Sequence, residues 1–259
     1  MDVGAITEYV DVAQVVLYVF WVFFFGLIIY LHQEAKREGY PLEKDRWDAP
    51  GLKKIEGFPP VPEAKTFRLP SGAIKYAPDP AQQEYRVAAE PTEAFPGAPL
   101  EPTGNPMTDG VGPAAYALRK QEPERLPDGE PKIVPLRSAA EMYVSPNDTD
   151  PRGMEVRGYD GNAAGTCQDV WVDQGEHLIR YLEVEITGGK RVLLPMTFAR
   201  VNCGRDPHIE VNAITAEQFS GVPALSNRDS VTLREEDQIT GYYGGGTLYG
   251  DPRRAEPIL

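Results

Sequence analysis

Three patterns of apolar and polar positions follow one another along the chain. From Val12 to Leu31 the sequence VAQVVLYVFWVFFFGLIIYL carries no formal charge and a single amide, Gln14. As a helix, about twenty such residues rise about 30 Å and match a bilayer core, so the run predicts one transmembrane helix. Asp11 is placed to cap it, and Gly39 with Pro41 to stop it, so the helix is expected to continue past the hydrocarbon to about Glu38. Asp2, Glu8 and Asp11 precede the run where a signal peptide would carry basic residues, and no small-residue cleavage motif follows, which argues against removal.

The second pattern, residues 39–132, is broken by proline: EGFPPVPEAKTFRLPSG, APDPAQQ, FPGAPLEPTGNP. Each proline removes a backbone donor and fixes a dihedral, which excludes long helices and central strands. Phe58, Phe67, Leu69, Tyr76, Tyr85, Phe95 and Leu100 recur between the prolines, more apolar surface than a free tether needs. The segment therefore reads as extended chain laid over another surface, with short strands around Lys65–Leu69 and Tyr85–Ala89.

The third pattern alternates with period two. GTCQDVWVD and RYLEVEI flank a turn, TGGK is a hairpin signal, and RVLLPMTFARV and HIEVNAI follow. Short strands at roughly ten-residue spacing predict a small closed or nearly closed barrel over residues 133–245, finished by a helix. On the RYLEVEI strand, Arg180, Leu182, Val184 and Ile186 share one face, and Tyr181, Glu183 and Glu185 the other, with Glu183 expected at the surface. TAEQFSGVP predicts a short helix. In TLREEDQITGYYGGGTLY a helix is expected to end in the run Gly244–Gly246, read as a turn, with residues 246–259 as a tail.

Charge adds orientation. No Lys or Arg precedes the apolar run, whereas Lys36, Arg37, Lys44, Arg46, Lys53 and Lys54 follow it, which places the large C-terminal part in the cytoplasm. Arg37 and Tyr40 stand at the membrane exit as interface anchors, toward lipid headgroups or partner loops. The net charge of −13 argues against a nucleic-acid partner. Cys167 and Cys203 are too few for a disulfide framework.

Enzyme signatures are absent: no Gly-x-Ser-x-Gly elbow, no Walker loop, no dinucleotide fingerprint. Cys167, His177, Cys203 and His208 do not stand at zinc-ligand spacing, so no metal site is expected. The turn between the first two strands carries Asp173, Glu176 and His177, with Arg180 just beyond. The plainer reading is a hairpin turn with an anchoring ion pair between Arg180 and Asp173 or Glu176; the other is a set of carboxylates that shares and passes protons.

GYPLE directly after a single span, KTFRLP, PTGNPMTDGVGPAAYALR, DPRGMEVRG, WVD with a following Glu, and TLREEDQITGYYGGGTLY together resemble the H subunit of the purple-bacterial photosynthetic reaction centre. The resemblance implies a single transmembrane α-helix plus a mainly β cytoplasmic domain, a small PRC-type β-barrel with an extended Pro-rich segment and short C-terminal helices. It implies a non-catalytic subunit of the bacterial inner (intracytoplasmic, chromatophore) membrane, N-terminus periplasmic, that caps the L and M subunits. Bacteriochlorophyll, bacteriopheophytin, quinones, non-haem iron and carotenoid would sit on those partners and none on this chain alone. Membrane lipids are further partners, and a cytochrome subunit and a light-harvesting antenna stay open. By resemblance, Glu176 and Asp173 take a proton-transfer role toward the secondary quinone, with Arg180 as their electrostatic partner. Some members carry a histidine pair in the loop before the barrel; LPDGEPKIV has none, leaving Asp128 and Glu130 as candidates for proton entry. Two other classes compete: a tethered barrel adaptor for RNA-processing partners, disfavoured by the acidic charge, and a tethered enzyme with Asp173 and Glu176 as an acid/base pair, for which no substrate motif speaks.

Overall fold

The computed structural model describes residues 6, 11–38, 57–78, 87–95 and 98–254. The chain forms two compact units, Met1–Arg86 with Pro91–Pro99, and Val87–Glu90 with Leu100–Leu259.

The first unit is led by helix α1, Val12–Ala35. Asp11 Oδ1 accepts from the Gln14 amide at 2.7 Å and Gln14 Oε1 from the Asp11 amide at 3.4 Å, a reciprocal cap on two otherwise orphaned donors. None of its residues is buried against the rest of the chain, so its apolar surface is presented outward on all sides, as a bilayer or partner helices require. The helix stops at Ala35, short of the expected Glu38, because the amides of Lys36, Arg37 and Glu38 each reach carbonyls three residues back and tighten the last turn. Lys36 Nζ then donates to the Pro59 carbonyl at 2.6 Å. Arg37 forks onto Glu34 with two bonds of 3.0 Å, and Lys65 Nζ lies 2.5 Å from the same carboxylate. Arg37 is thus held by the protein's own carboxylate; Tyr40, Gly39 and Pro41 lie outside the described residues. Strands β1 (Lys65–Arg68) and β2 (Ile74–Ala77) pair antiparallel with Phe67, Ile74 and Tyr76 exposed. Of the expected strand around Tyr85–Ala89, Tyr85 and Arg86 lie outside the described residues and Val87 and Ala88 are not in a strand; β3 (Ala89–Pro91) begins only at its last residue and pairs with β4 (Leu100–Pro102).

The second unit is built on a seven-stranded sheet: β5 (Ile133–Pro135), β6 (Glu155–Arg157), β7 (Ala163–Asp173), β8 (Leu178–Ile186), β9 (Arg191–Pro195), β10 (Ala199–Asn202) and β11 (His208–Val211). Its order is β10-β11-β6-β7-β8-β9, with β5 added beside β7; only β11 and β6 run parallel. Gly188 and Gly189, at φ 98° and 80°, supply the left-handed conformations of the tight β8–β9 turn. The two edge strands β9 and β10 are joined through three residues, Met196–Phe198, a reach of at most about 14 Å, so the sheet must roll until its edges approach. That is the small barrel expected from the strand spacing. Val156, Val170, Leu182, Val184, Leu194 and Ile209 fill its interior, each essentially inaccessible to solvent.

Helix α2, Leu233–Tyr249, closes the unit. Thr232 caps it and Glu235 reciprocates. The glycine run does not end it. Gly244, Gly245 and Gly246 stay helical because the helix lies flush on backbone: a Cβ on Gly244 would come 2.6 Å from Pro113 O, and one on Gly246 would come 2.6 Å from Ala213 O. Immediately before them Tyr243, fully buried, stacks on Phe198 with centroids 5.7 Å apart and meets Phe219 edge-on at 6.1 Å.

Two side-chain directions differ from strict alternation. Trp171 pairs with Tyr181 but Val172 with Ile179, so Arg180 is the extra residue of a β-bulge and turns out to solvent instead of toward the core edge. Glu183 is not at the surface: it is 4% exposed and accepts from Trp171 Nε1 at 2.9 Å, Arg137 Nη1 at 2.7 Å and Arg191 Nη1 at 2.8 Å. Burial pushes its carboxyl up, and these three donors outweigh burial and hold it below the ordinary range. Its contribution to stability is therefore present at neutral pH and lost only as pH falls through that lowered value.

Replacing glycine by alanine inside a helix normally gains about 1 kcal/mol. At Gly246 the added methyl must displace Ile214 and the Ala213 carbonyl, so Gly246→Ala is expected to destabilise the second unit by about 1–3 kcal/mol in denaturant unfolding. A neutral or stabilising result would contradict the flush packing of α2.

Candidate functional site

The site is assembled where β7 ends. β5 pairs antiparallel with β7, Ile133 opposite Asp173, and this register sets Lys132, the residue before β5, beside the turn that follows β7. Gln174 reinforces the junction: its amide donates to Lys132 O at 2.9 Å and its Nε2 to Pro131 O at 3.0 Å.

Asp173 organises the turn. It is 1% exposed, and its Oδ1 accepts from the amides of Gly175 and Glu176, both at 2.9 Å. The His177 amide donates to Asp173 O at 2.8 Å, which closes the turn with His177 in the left-handed region at φ 55°. The other oxygen, Oδ2, faces Lys132 Nζ at 3.5 Å. That same ammonium lies 3.3 Å from Glu176 Oε1 and 3.5 Å from Glu124 Oε1, so one cation joins three carboxylates. The bond to Glu176, with the charges of Asp173 and Glu124, raises the proton affinity of Lys132 and keeps it an ammonium. Glu176 is half exposed, at 54%, and stands between this buried junction and solvent.

Asp173 and Glu176 are thus brought together, but Arg180 is not their partner. The bulge carries it to a pocket of about 450 Å³ where it lies beside Tyr181 and Glu236, and the cation at the hairpin is Lys132. Sequence reasoning missed Lys132 because its proximity depends on β5 adding to β7, a pairing between residues about forty apart; the signal is the short apolar run IVP directly after it. Asp128 and Glu130 lie in an exposed tight turn, Glu130 N donating to Asp128 Oδ1 at 3.0 Å and Gly129 N to Leu126 O at 2.9 Å. The Arg125–Pro131 bridge closes this turn immediately before Lys132, so the two carboxylates stand on the turn that leads into the cluster. Among the described residues no group of three or more His, Cys, Asp or Glu side chains is arranged to hold a metal ion.

The family model for the photosynthetic reaction centre H-chain N-terminal region matches residues 4–138, more than half of the chain. The chain belongs to the H-chain family. A second model, the PRC-barrel domain, matches residues 147–218 and covers β6 to β11. In this H-chain member the cluster is drawn from both matched regions: Lys132, Glu124, Asp128 and Glu130 from the first, Asp173 and Glu176 from the second. Among the described residues one apolar helix is long enough to cross a membrane, and a mainly β domain follows it.

The two hairpin carboxylates have different structural weights. Asp173→Ala leaves two turn amides without their acceptor and is expected to cost about 1–2 kcal/mol. Glu176→Gln, exposed and, among the described residues, paired through its side chain with Lys132 alone, is expected to leave thermal stability essentially unchanged. Equal losses in the two variants, measured by thermal unfolding, would contradict this division.

Proposed function

We propose that the chain is the non-catalytic cap of the reaction centre. In this reading α1 spans the bacterial inner membrane with its N-terminus periplasmic, and the Pro-rich residues 39–132 and the barrel lie over the cytoplasmic face of the L and M subunits. Bacteriochlorophyll, bacteriopheophytin, quinones, iron and carotenoid belong to those partners. The cap supports assembly, shields the secondary quinone and hands it protons from the cytoplasm.

The observation that carries the proton role is the Lys132 junction. A reduced quinone in a dry site needs protons without bulk water, and a path for them needs carboxylates of graded exposure held close together. Glu176 is half exposed, Asp173 is buried on the same turn, and Lys132, within 3.5 Å of both, compensates whichever of them is ionised. Asp128 and Glu130, exposed on the turn before Lys132, are placed to collect protons at the surface. The net charge of −13 favours proton attraction over that surface.

Flash-induced proton uptake and transfer of the second electron to the secondary quinone test this directly. Glu176→Gln is expected to slow both steps in complexes that assemble normally, and Asp173→Asn, which keeps the turn acceptor, to slow them as well. Glu217→Gln, on an exposed turn, is the control and is expected to leave both rates unchanged. Unaltered rates in both hairpin variants would reduce the turn to structure alone.

A further inference from the structure

Glu236 is a buried carboxyl that the proton route above does not use. It stands in the first turn of α2, 9% exposed, and Tyr181 Oη donates to its Oε2 at 2.8 Å. A carboxylate has room for about four such bonds. It lines the open pocket of about 450 Å³ together with Arg180 and Tyr181 from β8, Tyr116 and Arg119 from the chain ahead of β5, and Asp237 from its own helix. Neither arginine is close enough to Glu236 to form an ion pair, and Arg119 is engaged with Asp237, Nη1 to Oδ1 3.4 Å. Burial therefore dominates and raises the proton affinity of Glu236, against the pull of the Tyr181 bond and of Arg180; the charge of Glu124 adds to the rise and Arg119 opposes it. Glu124 is also the third carboxylate on Lys132, so a change of charge at Glu236 is felt at the hairpin cluster.

We propose that Glu236 is a proton-binding carboxyl of this pocket, exchanging its proton with solvent at Oε1 while Tyr181 holds Oε2, and coupled through Glu124 to Lys132. An O–H bond forms at Oε1 as one breaks on a hydronium ion, leaving water, and release reverses the step; Tyr181 remains a neutral donor throughout. The proposal deepens the proton-route reading by adding a second store on the same domain, but proton binding by Glu236 stands independently of where the protons go.

The test is an infrared pH titration of the assembled complex in the dark, in H2O and D2O, comparing the unaltered protein with Glu236→Gln, Tyr181→Phe and Glu176→Gln. A protonated-carboxyl band that shifts in D2O is expected to persist above the ordinary carboxylate range of about pH 4.3 and to bleach as pH rises. It is expected to be lost in Glu236→Gln, whose amide keeps an acceptor for Tyr181, and retained in Glu176→Gln. Tyr181→Phe removes a bond to the ionised form and is expected to move the midpoint up by about one pH unit. Coincident spectra of the unaltered protein and Glu236→Gln from about pH 5 to 8 would overturn the proposal. A titrating Glu236 band alongside normal proton uptake in Glu176→Gln and Asp173→Asn would sustain this proposal and refute the hairpin route; a missing band alongside slowed uptake would do the reverse.

Discussion

A buried carboxylate has to be satisfied, and much of the second unit's geometry follows from how Asp173 is. Water is excluded from it, so its oxygens must find donors and a cation within the chain. One oxygen takes the two turn amides and thereby fixes the hairpin; the other faces Lys132, which reaches it because β5 is added to β7. The constraint makes a mobile surface loop unsuitable at this point and gives instead a rigid tip on which Glu176 is presented at a set distance from the same ammonium.

The same logic operates further back along β7. Trp171 is buried with an indole N–H to place, and Glu183 across the strand pair accepts it. That buried carboxylate in turn recruits Arg137 and Arg191, and Arg137 continues to Asp169 and to the Arg228 carbonyl. The barrel is thus tied to its flanking segments by charge-assisted bonds as well as by apolar packing. At the far end α2 is drawn against backbone by its glycines, a contact in which the missing Cβ atoms matter more than helix propensity.

Much of this was legible in the sequence. The apolar run gave helix α1 because length and absence of charge suffice, and Asp11 gave its cap because N-caps are local. The strands and the TGGK turn followed from period two and glycine chemistry. What was not legible depended on distant pairing. One bulge reversed the direction of Arg180, the covering of the sheet's second face buried Glu183, and close backbone packing kept Gly244–Gly246 helical. Asp173 and Glu176 could be named from resemblance, but Lys132 and Glu236 could be found only with the strands and α2 in place.

The central claim is that the hairpin carboxylates move protons and do not merely hold a turn. Chemical rescue separates the two. In complexes carrying Asp173→Asn and Glu176→Gln together, the second electron transfer to the secondary quinone would be followed while a small permeant weak acid, formic acid, is titrated in. Recovery of the rate in proportion to the acid, with no change in assembly, is what a missing proton carrier predicts. A slowed rate that no concentration of acid restores would mean that the defect is structural and that the hairpin is not a proton route.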